Sequence, residues 1–261
     1  MCFDFDARPP DLPADLAPIA GGAAAETLEL TSADGTRFSA ALAQSPEGSD
    51  PAVLILPDVR GLYRFYIELA ERFADAGHHA IAIDYFGRTA GVGERGEDFE
   101  YMPHAQATTV EQVQADALAA REALVERTGA RSVVTVGFCF GGMHSFLCSA
   151  NAELGLSGVV GFYGGLSGER WGIRGPLVRV AELRGPLLGL FGGADQGIPV
   201  EQVEQFEHGL EDAGAEKEIH IYPGAPHSFF DRSYEEHAEA CADAWRRVLG
   251  FLNEVGARVA R

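Results

Sequence analysis

Lysine is nearly absent. Of 20 basic side chains in 261 residues, 19 are arginine and one, Lys217, is lysine; they stand against 39 acidic residues and give a formal charge of −19. A field of that sign repels phosphate, so neither nucleic acid nor an anionic membrane surface is expected as a partner. No apolar run approaches the ~18 residues that cross a bilayer. The four cysteines, Cys2, Cys139, Cys148 and Cys241, form no C-x-x-C pair and no zinc-like spacing, and the eight histidines form no cluster. No metal and no cofactor is expected. The start, Met1 to Asp6, carries acid where an export signal needs base. The small-residue stretch from Leu16 to Ala25 is broken by Pro18, Gly21 and Gly22, so a cytoplasmic chain with free thiols is expected. Internal repeats and low-complexity linkers are lacking too.

What is there is ordinary globular material, 46% hydrophobic and long enough to bury one substantial core. We read an N-terminal arm over 1–26 and a single domain over 27–261. The domain opens with a hairpin, Thr27–Thr31 and Arg37–Ala43 around Asp34-Gly35. Strand and helix then alternate. Short apolar runs at Ala52–Leu56, His79–Asp84, Ser132–Phe138, Gly158–Tyr163, Leu187–Phe191 and Glu218–Tyr222 read as strands. Helical stripes fall between them: Tyr66 to Ala76, Val110 to Leu124, Met143 to Ala150, Val200 to Leu210, and Ala238 to Val255 at the end. This order predicts an α/β fold with a mostly parallel sheet covered by helices on both faces. In such a sheet, chemistry gathers beyond the carboxyl ends of the strands. Two long stretches without a regular pattern, 85–109 and 166–185, are expected to form walls of a cleft.

One segment carries chemistry directly. Ser132 to Phe138 runs as a strand into Gly137-Phe138-Cys139-Phe140-Gly141 and then a helix. This is the spacing of a nucleophile elbow: a sharp turn exposes the central side chain, and glycines two positions to either side let backbones pass closely. A thiol at a helix N-terminus is favoured as thiolate. Asp195 follows the strand Leu187–Phe191, and His227 lies in the loop after the last strand. Nucleophile, acid and histidine in that order match the arrangement of α/β-hydrolases. His227 would exchange protons with Cys139, and Asp195 would orient the imidazole. The backbone N–H groups of Val59 and Phe140 are the expected oxyanion donors.

With these residues in place, the sequence resembles the dienelactone hydrolase family, the cysteine branch of the α/β-hydrolase fold. The resemblance covers roughly residues 27 to 255. It rests on Leu54-Ile-Leu-Pro-Asp58-Val-Arg-Gly61, Ile83-Asp84-Tyr-Phe-Gly-Arg88, Gly137-Phe-Cys139-Phe-Gly-Gly142, Gly193-Ala-Asp195 and Gly224-Ala-Pro-His227-Ser-Phe229. It implies hydrolysis of a small-molecule lactone or activated ester through a thioester acyl-enzyme, by a monomer or homodimer. It also implies that Asp58, where the family has glutamate, gates the thiol. Arg88 and a second arginine would hold a substrate carboxylate. That second position carries Asp231 here, with Arg232 one residue on.

Tyr85 and Tyr163 are candidate cleft-lining residues, as is Trp171; core packing is the alternative for each. Gly91-Val-Gly93-Glu-Arg-Gly96 spells a dinucleotide fingerprint but follows no strand directly and is trailed by acids, so no dinucleotide is expected. Two other readings remain beside the hydrolase. One is a broader esterase acting on other activated electrophiles such as aryl esters or phosphotriesters. The other is a thiol redox protein using Cys139, with Cys148 as partner.

Overall fold

The apolar runs pair into one eight-stranded sheet. In the computed structural model, which describes residues 6–16, 22–46, 48–230 and 234–259, the hairpin strands β1 (Glu26–Thr31) and β2 (Arg37–Ala43) are antiparallel. There follow β3 (Ser49–Leu56), α1 (Arg64–Asp75) and β4 (His78–Ile83), then the helices α2 (Gly87–Ala90), α3 (Tyr101–Ala107) and α4 (Val110–Thr128). Next come β5 (Val133–Phe138), α5 (Phe140–Cys148) and β6 (Gly158–Phe162). A small ribbon of β7 (Glu169–Arg170) and β8 (Ile173–Arg174) precedes β9 (Leu187–Gly192), α6 (Val200–Asp212), β10 (Lys217–Tyr222) and α7 (Ala238–Val259). The sheet order is β1-β2-β4-β3-β5-β6-β9-β10; β2 alone runs against the others, antiparallel to both β1 and β4, and every pair from β4 to β10 is parallel.

The sheet divides the core in two because strand side chains alternate between faces. Val53 and Ile55 of β3 face one cluster, with Leu69 and Phe73 of α1, Phe206 of α6 and Trp245 of α7. Ala52, Leu54 and Leu56 face the other, with Val113, Ala117 and Leu124 of α4. Helix α4 is closed at both ends. A reciprocal capping box joins Thr109 and Gln112, and Gly129 takes the left-handed conformation after the last turn. The arm residues Asp6 to Leu16 lie against the helices. The Trp245 indole donates to the Pro10 carbonyl at 3.2 Å, and Arg246 and Arg72 pair with Asp15 and Asp11.

The predicted strands and long helices are all present. The two irregular stretches hold short elements that the pattern did not show: α2 and α3 in 85–109, and the β7–β8 ribbon with a 3-10 turn at Val180–Glu182 in 166–185. Among the described residues no helix is long and apolar enough to cross a membrane.

Candidate active site

Cys139 sits between β5 and α5 at φ 52°, ψ −107°, a left-handed turn that a side chain other than glycine rarely adopts. Its surroundings hold it there. The Cys139 N–H donates to the Phe162 carbonyl of β6 at 3.0 Å, and its carbonyl accepts from Met143 N–H to start α5. One layer below, the Thr135 and Ser145 hydroxyls bond at 2.8 Å and tie β5 to the helix. The flanking glycines are required by contact. A Cβ on Gly137 would lie 2.0 Å from the Gly141 carbonyl oxygen, and one on Gly141 would lie 2.0 Å from that of Leu56.

Asp195 and His227 meet directly. The His227 Nδ1 to Asp195 Oδ2 distance is 2.6 Å, which fixes the tautomer with Nδ1 as donor and turns Nε2 outward. The Asp195 carboxylate is buried, and its other oxygen accepts from Gly197 N–H at 2.8 Å and Ile198 N–H at 3.2 Å. The imidazole is partly open, with a third of its surface exposed. Their two loops are stapled by Ala194 N–H to the Ala225 carbonyl at 2.9 Å. There is no space for a side chain at Gly192, whose Cβ would lie 2.4 Å from the same carbonyl oxygen.

The histidine loop then crosses back over β9 and β6 toward Cys139. Ser228 turns the chain at φ 59°, and the Phe230 ring lies tilted against Phe162 at 4.7 Å and stacks on Phe138, the residue before Cys139, at 5.8 Å. Tyr163, in the turn after β6, brings its ring within 5.1 Å of the His227 ring. Cys139, Asp195 and His227 thus each lie in the segment that follows the carboxyl end of a parallel strand, β5, β9 and β10 in turn.

Val59 and Phe140 are both buried beside the elbow, Val59 in the loop after β3 and Phe140 at the first position of α5. An N–H in that first turn has no acceptor within its own helix. Asp58 is fully buried; it accepts from the Tyr66 hydroxyl at 2.6 Å and from Arg60 N–H at 2.8 Å.

Other expected residues are placed elsewhere. Arg88 is committed to protein carboxylates: its guanidinium donates to Asp116 at 2.6 Å and to Asp34 at 2.9 Å. It reaches toward the β1–β2 turn, and β2 lies three strand spacings, roughly 14 Å, from β5. Two acids distant in sequence hold Nε and Nη1 within the fold, while Nη2 is buried with no hydrogen-bond partner among the described residues. Tyr85 and Tyr163 are both buried, Tyr85 against the Phe140 ring and Tyr163 against the His227 ring. Arg232 and Asp231 lie outside the described residues.

The thiols separate clearly. Cys148 ends α5 nine residues beyond Cys139, about 13 Å along the axis, too far for a disulfide. Burial pushes its pKa up to about 12. Cys241 is buried on α7 and contacts the Phe229 carbonyl at 3.5 Å. Sequence reasoning missed Arg95, which lies within the glycine-rich stretch 91–96 and forms a buried ion pair with Asp84 at 2.8 Å. The acid at the end of β4 was its signal. Among the described residues no group of three His, Cys, Asp or Glu could hold a metal ion.

Comparison with known proteins finds chains of similar sequence and fold. The family model described as "Dienelactone hydrolase family" matches residues 38–256. A protein named "Putative carboxymethylenebutenolidase" from Methylorubrum extorquens is 28% identical, the match covering 97% of this chain and 89% of the relative. One of the same name from Escherichia coli is 29% identical over 81% of this chain and 80% of its own. Among solved structures, a "Putative Dienelactone Hydrolase" from Klebsiella pneumoniae superposes with TM-score 0.75 at 28% identity, covering 88% of this chain and 99% of the other. A dienelactone hydrolase-like promiscuous phosphotriesterase from metagenomic libraries superposes with TM-score 0.73 at 23% identity, over 90% and 99% of the two chains.

Proposed function

Because the chain belongs to the dienelactone hydrolase family, we propose that it cleaves a small lactone or activated carboxylic ester through a thioester on Cys139. The observation that carries this reading is the left-handed Cys139 at the head of α5, on the end of the sheet where His227 is already oriented by Asp195 at 2.6 Å. His227 Nε2 takes the thiol proton as sulfur attacks the carbonyl carbon. The oxygen that becomes negative is met by the N–H groups of Val59 and Phe140. When the intermediate collapses, His227 returns the proton to the leaving alkoxide and the acyl group stays on sulfur. Water, deprotonated by the same imidazole, then attacks the thioester; the acid leaves and the thiol is restored.

Asp58 is the fixed negative charge that would gate the thiol in this scheme. It and Cys139 both lie close enough to the Tyr85 hydroxyl for their charges to help raise that phenol's pKa, although burial is the larger cause. Arg88 takes no part, because Asp34 and Asp116 hold it. We therefore assign the site to uncharged esters or lactones as readily as to anionic ones, in a reducing, cytoplasmic setting. The redox alternative is disfavoured by the distance and buried state of Cys148.

The test uses 4-nitrophenyl acetate. Cys139→Ala and His227→Ala should each lower kcat/KM at least ~10³-fold. Wild-type enzyme quenched in acid should carry one acetyl group on Cys139 by mass spectrometry. Full turnover in Cys139→Ala would sink the reading.

A further inference from the structure

We infer that Tyr85 is a positioning residue that keeps the two halves of the oxyanion hole in register. The inference rests on the thioester reading above. The two donors come from separate pieces of chain, Val59 from the loop after β3 and Phe140 from the head of α5. A hole acts only when both N–H groups lie about 2.7–3.1 Å from the same oxygen, and no covalent link sets that spacing.

Tyr85 touches both pieces. Its hydroxyl donates to the Pro57 carbonyl at 2.8 Å, two residues before Val59. Its ring meets the Phe140 ring edge-on, with centroids 5.5 Å apart at 77°. The seam it spans has no slack: a Cβ on Gly141 would lie 2.3 Å from that same Pro57 oxygen. His144, one turn beyond Phe140, backs the contact, its ring 4.4 Å from Phe140 and 6.2 Å from Tyr85. Tyr85 is 2% exposed, so it acts through the backbone it holds and not on substrate. Burial, with Asp58 and other nearby negative charge, raises the phenol well above its ordinary range. The hydroxyl therefore remains a donor at every pH at which the enzyme would be assayed.

Tyr85→Phe keeps the ring and removes only the hydroxyl, so that Pro57 loses its donor. With 4-nitrophenyl acetate, kcat should fall about 10-fold, a fraction of what removing a donor outright costs, while KM changes less than twofold. Inhibition by benzaldehyde, whose hemithioacetal oxygen would occupy the hole, should weaken by a similar factor. Alkylation of Cys139 by iodoacetamide, which forms no oxyanion, should keep its rate. Phe140→Leu removes the ring contact from the other side and should give the same three results. Tyr222→Phe, which loses a hydroxyl bond to Asp243 at 3.0 Å, controls for stability and should move none of them. Unchanged kcat and benzaldehyde inhibition in Tyr85→Phe would overturn the proposal. So would a loss of alkylation rate matching the loss of turnover, because that marks general damage to the elbow. A wild-type enzyme that iodoacetamide does not inactivate would instead contradict Cys139 as nucleophile.

Discussion

At the scale of single residues, the site is built from backbone positions that tolerate little else. Gly141 stands where β3 and α5 cross, and a methyl there would sit 2.0 Å from the Leu56 carbonyl oxygen. Neither partner is a flexible side-chain end, so the crossing must open. Gly141→Ala should cost about 3 kcal/mol, the range for forcing one extra carbon into a packed contact, and lower Tm by roughly 6–12 °C. It should also separate Val59 from Phe140, so kcat/KM for an aryl ester should fall further than Tm alone explains; calorimetry and ester turnover on one preparation would check both. The letters around Cys139 made this position legible in sequence, because the elbow needs glycine at fixed offsets. Tyr85 was not legible in the same way. A tyrosine beyond a strand end serves equally as a cleft wall or as a core residue with its hydroxyl on a carbonyl, and only the fold shows Pro57 in reach.

At the scale of elements, the long strands and helices were readable because burial imposes periods of 2 and 3.6 on the sequence. The β7–β8 ribbon was not, since two-residue strands have no period to detect. Ion pairs between elements escape for a related reason. Arg88 on α2 joins Asp34 in the β1–β2 turn and Asp116 on α4, 54 and 28 residues away in the chain. Ser32 from the same turn also bonds Asp116. The arrangement fastens the edge hairpin to two helices, and the Asp116 side chain is 1% exposed. Arg88→Ala would leave that carboxylate with a hydroxyl as its remaining partner. We expect a loss of about 3 kcal/mol, at the low end for stranding one member of a buried pair, seen as a lower urea midpoint. The ratio of kcat/KM between an anionic and a neutral ester should stay constant. A collapse of that ratio with unchanged stability would restore Arg88 to the substrate.

At the scale of the whole molecule, the charge of −19 suggests a protein that gains stability on mild acidification as self-repulsion is relieved. The buried histidines argue the opposite, and the magnitudes decide between them. At pH 5 a carboxylate of ordinary pKa is only about one-tenth protonated, so most of the repulsion remains. The carboxylates lowered by backbone or arginine bonds, among them Asp34 and Glu216, contribute stability that is lost only below their unfolded values near 4. His144 titrates earlier. Burial lowers its folded pKa to about 3, and neither ring nitrogen has a hydrogen-bond partner among the described residues. Above pH 6.5 folded and unfolded forms are both neutral and the residue adds nothing. Below it the unfolded chain binds a proton that the folded chain refuses, so stability falls as pH drops, by about 2 kcal/mol at pH 5. His78, also lowered chiefly by burial, acts in the same direction. Unfolding free energy should therefore decline between pH 7 and 5, then fall more steeply below 4 as the paired carboxylates protonate. His144→Leu fills a similar volume without a titrating group and should flatten the pH 7 to 5 limb by about 2 kcal/mol. Urea titrations of both proteins across that range decide the matter: parallel limbs would show that the buried imidazole does not set how this acidic molecule responds to acid, and a wild-type limb that rises toward pH 5 would show that relief of charge does.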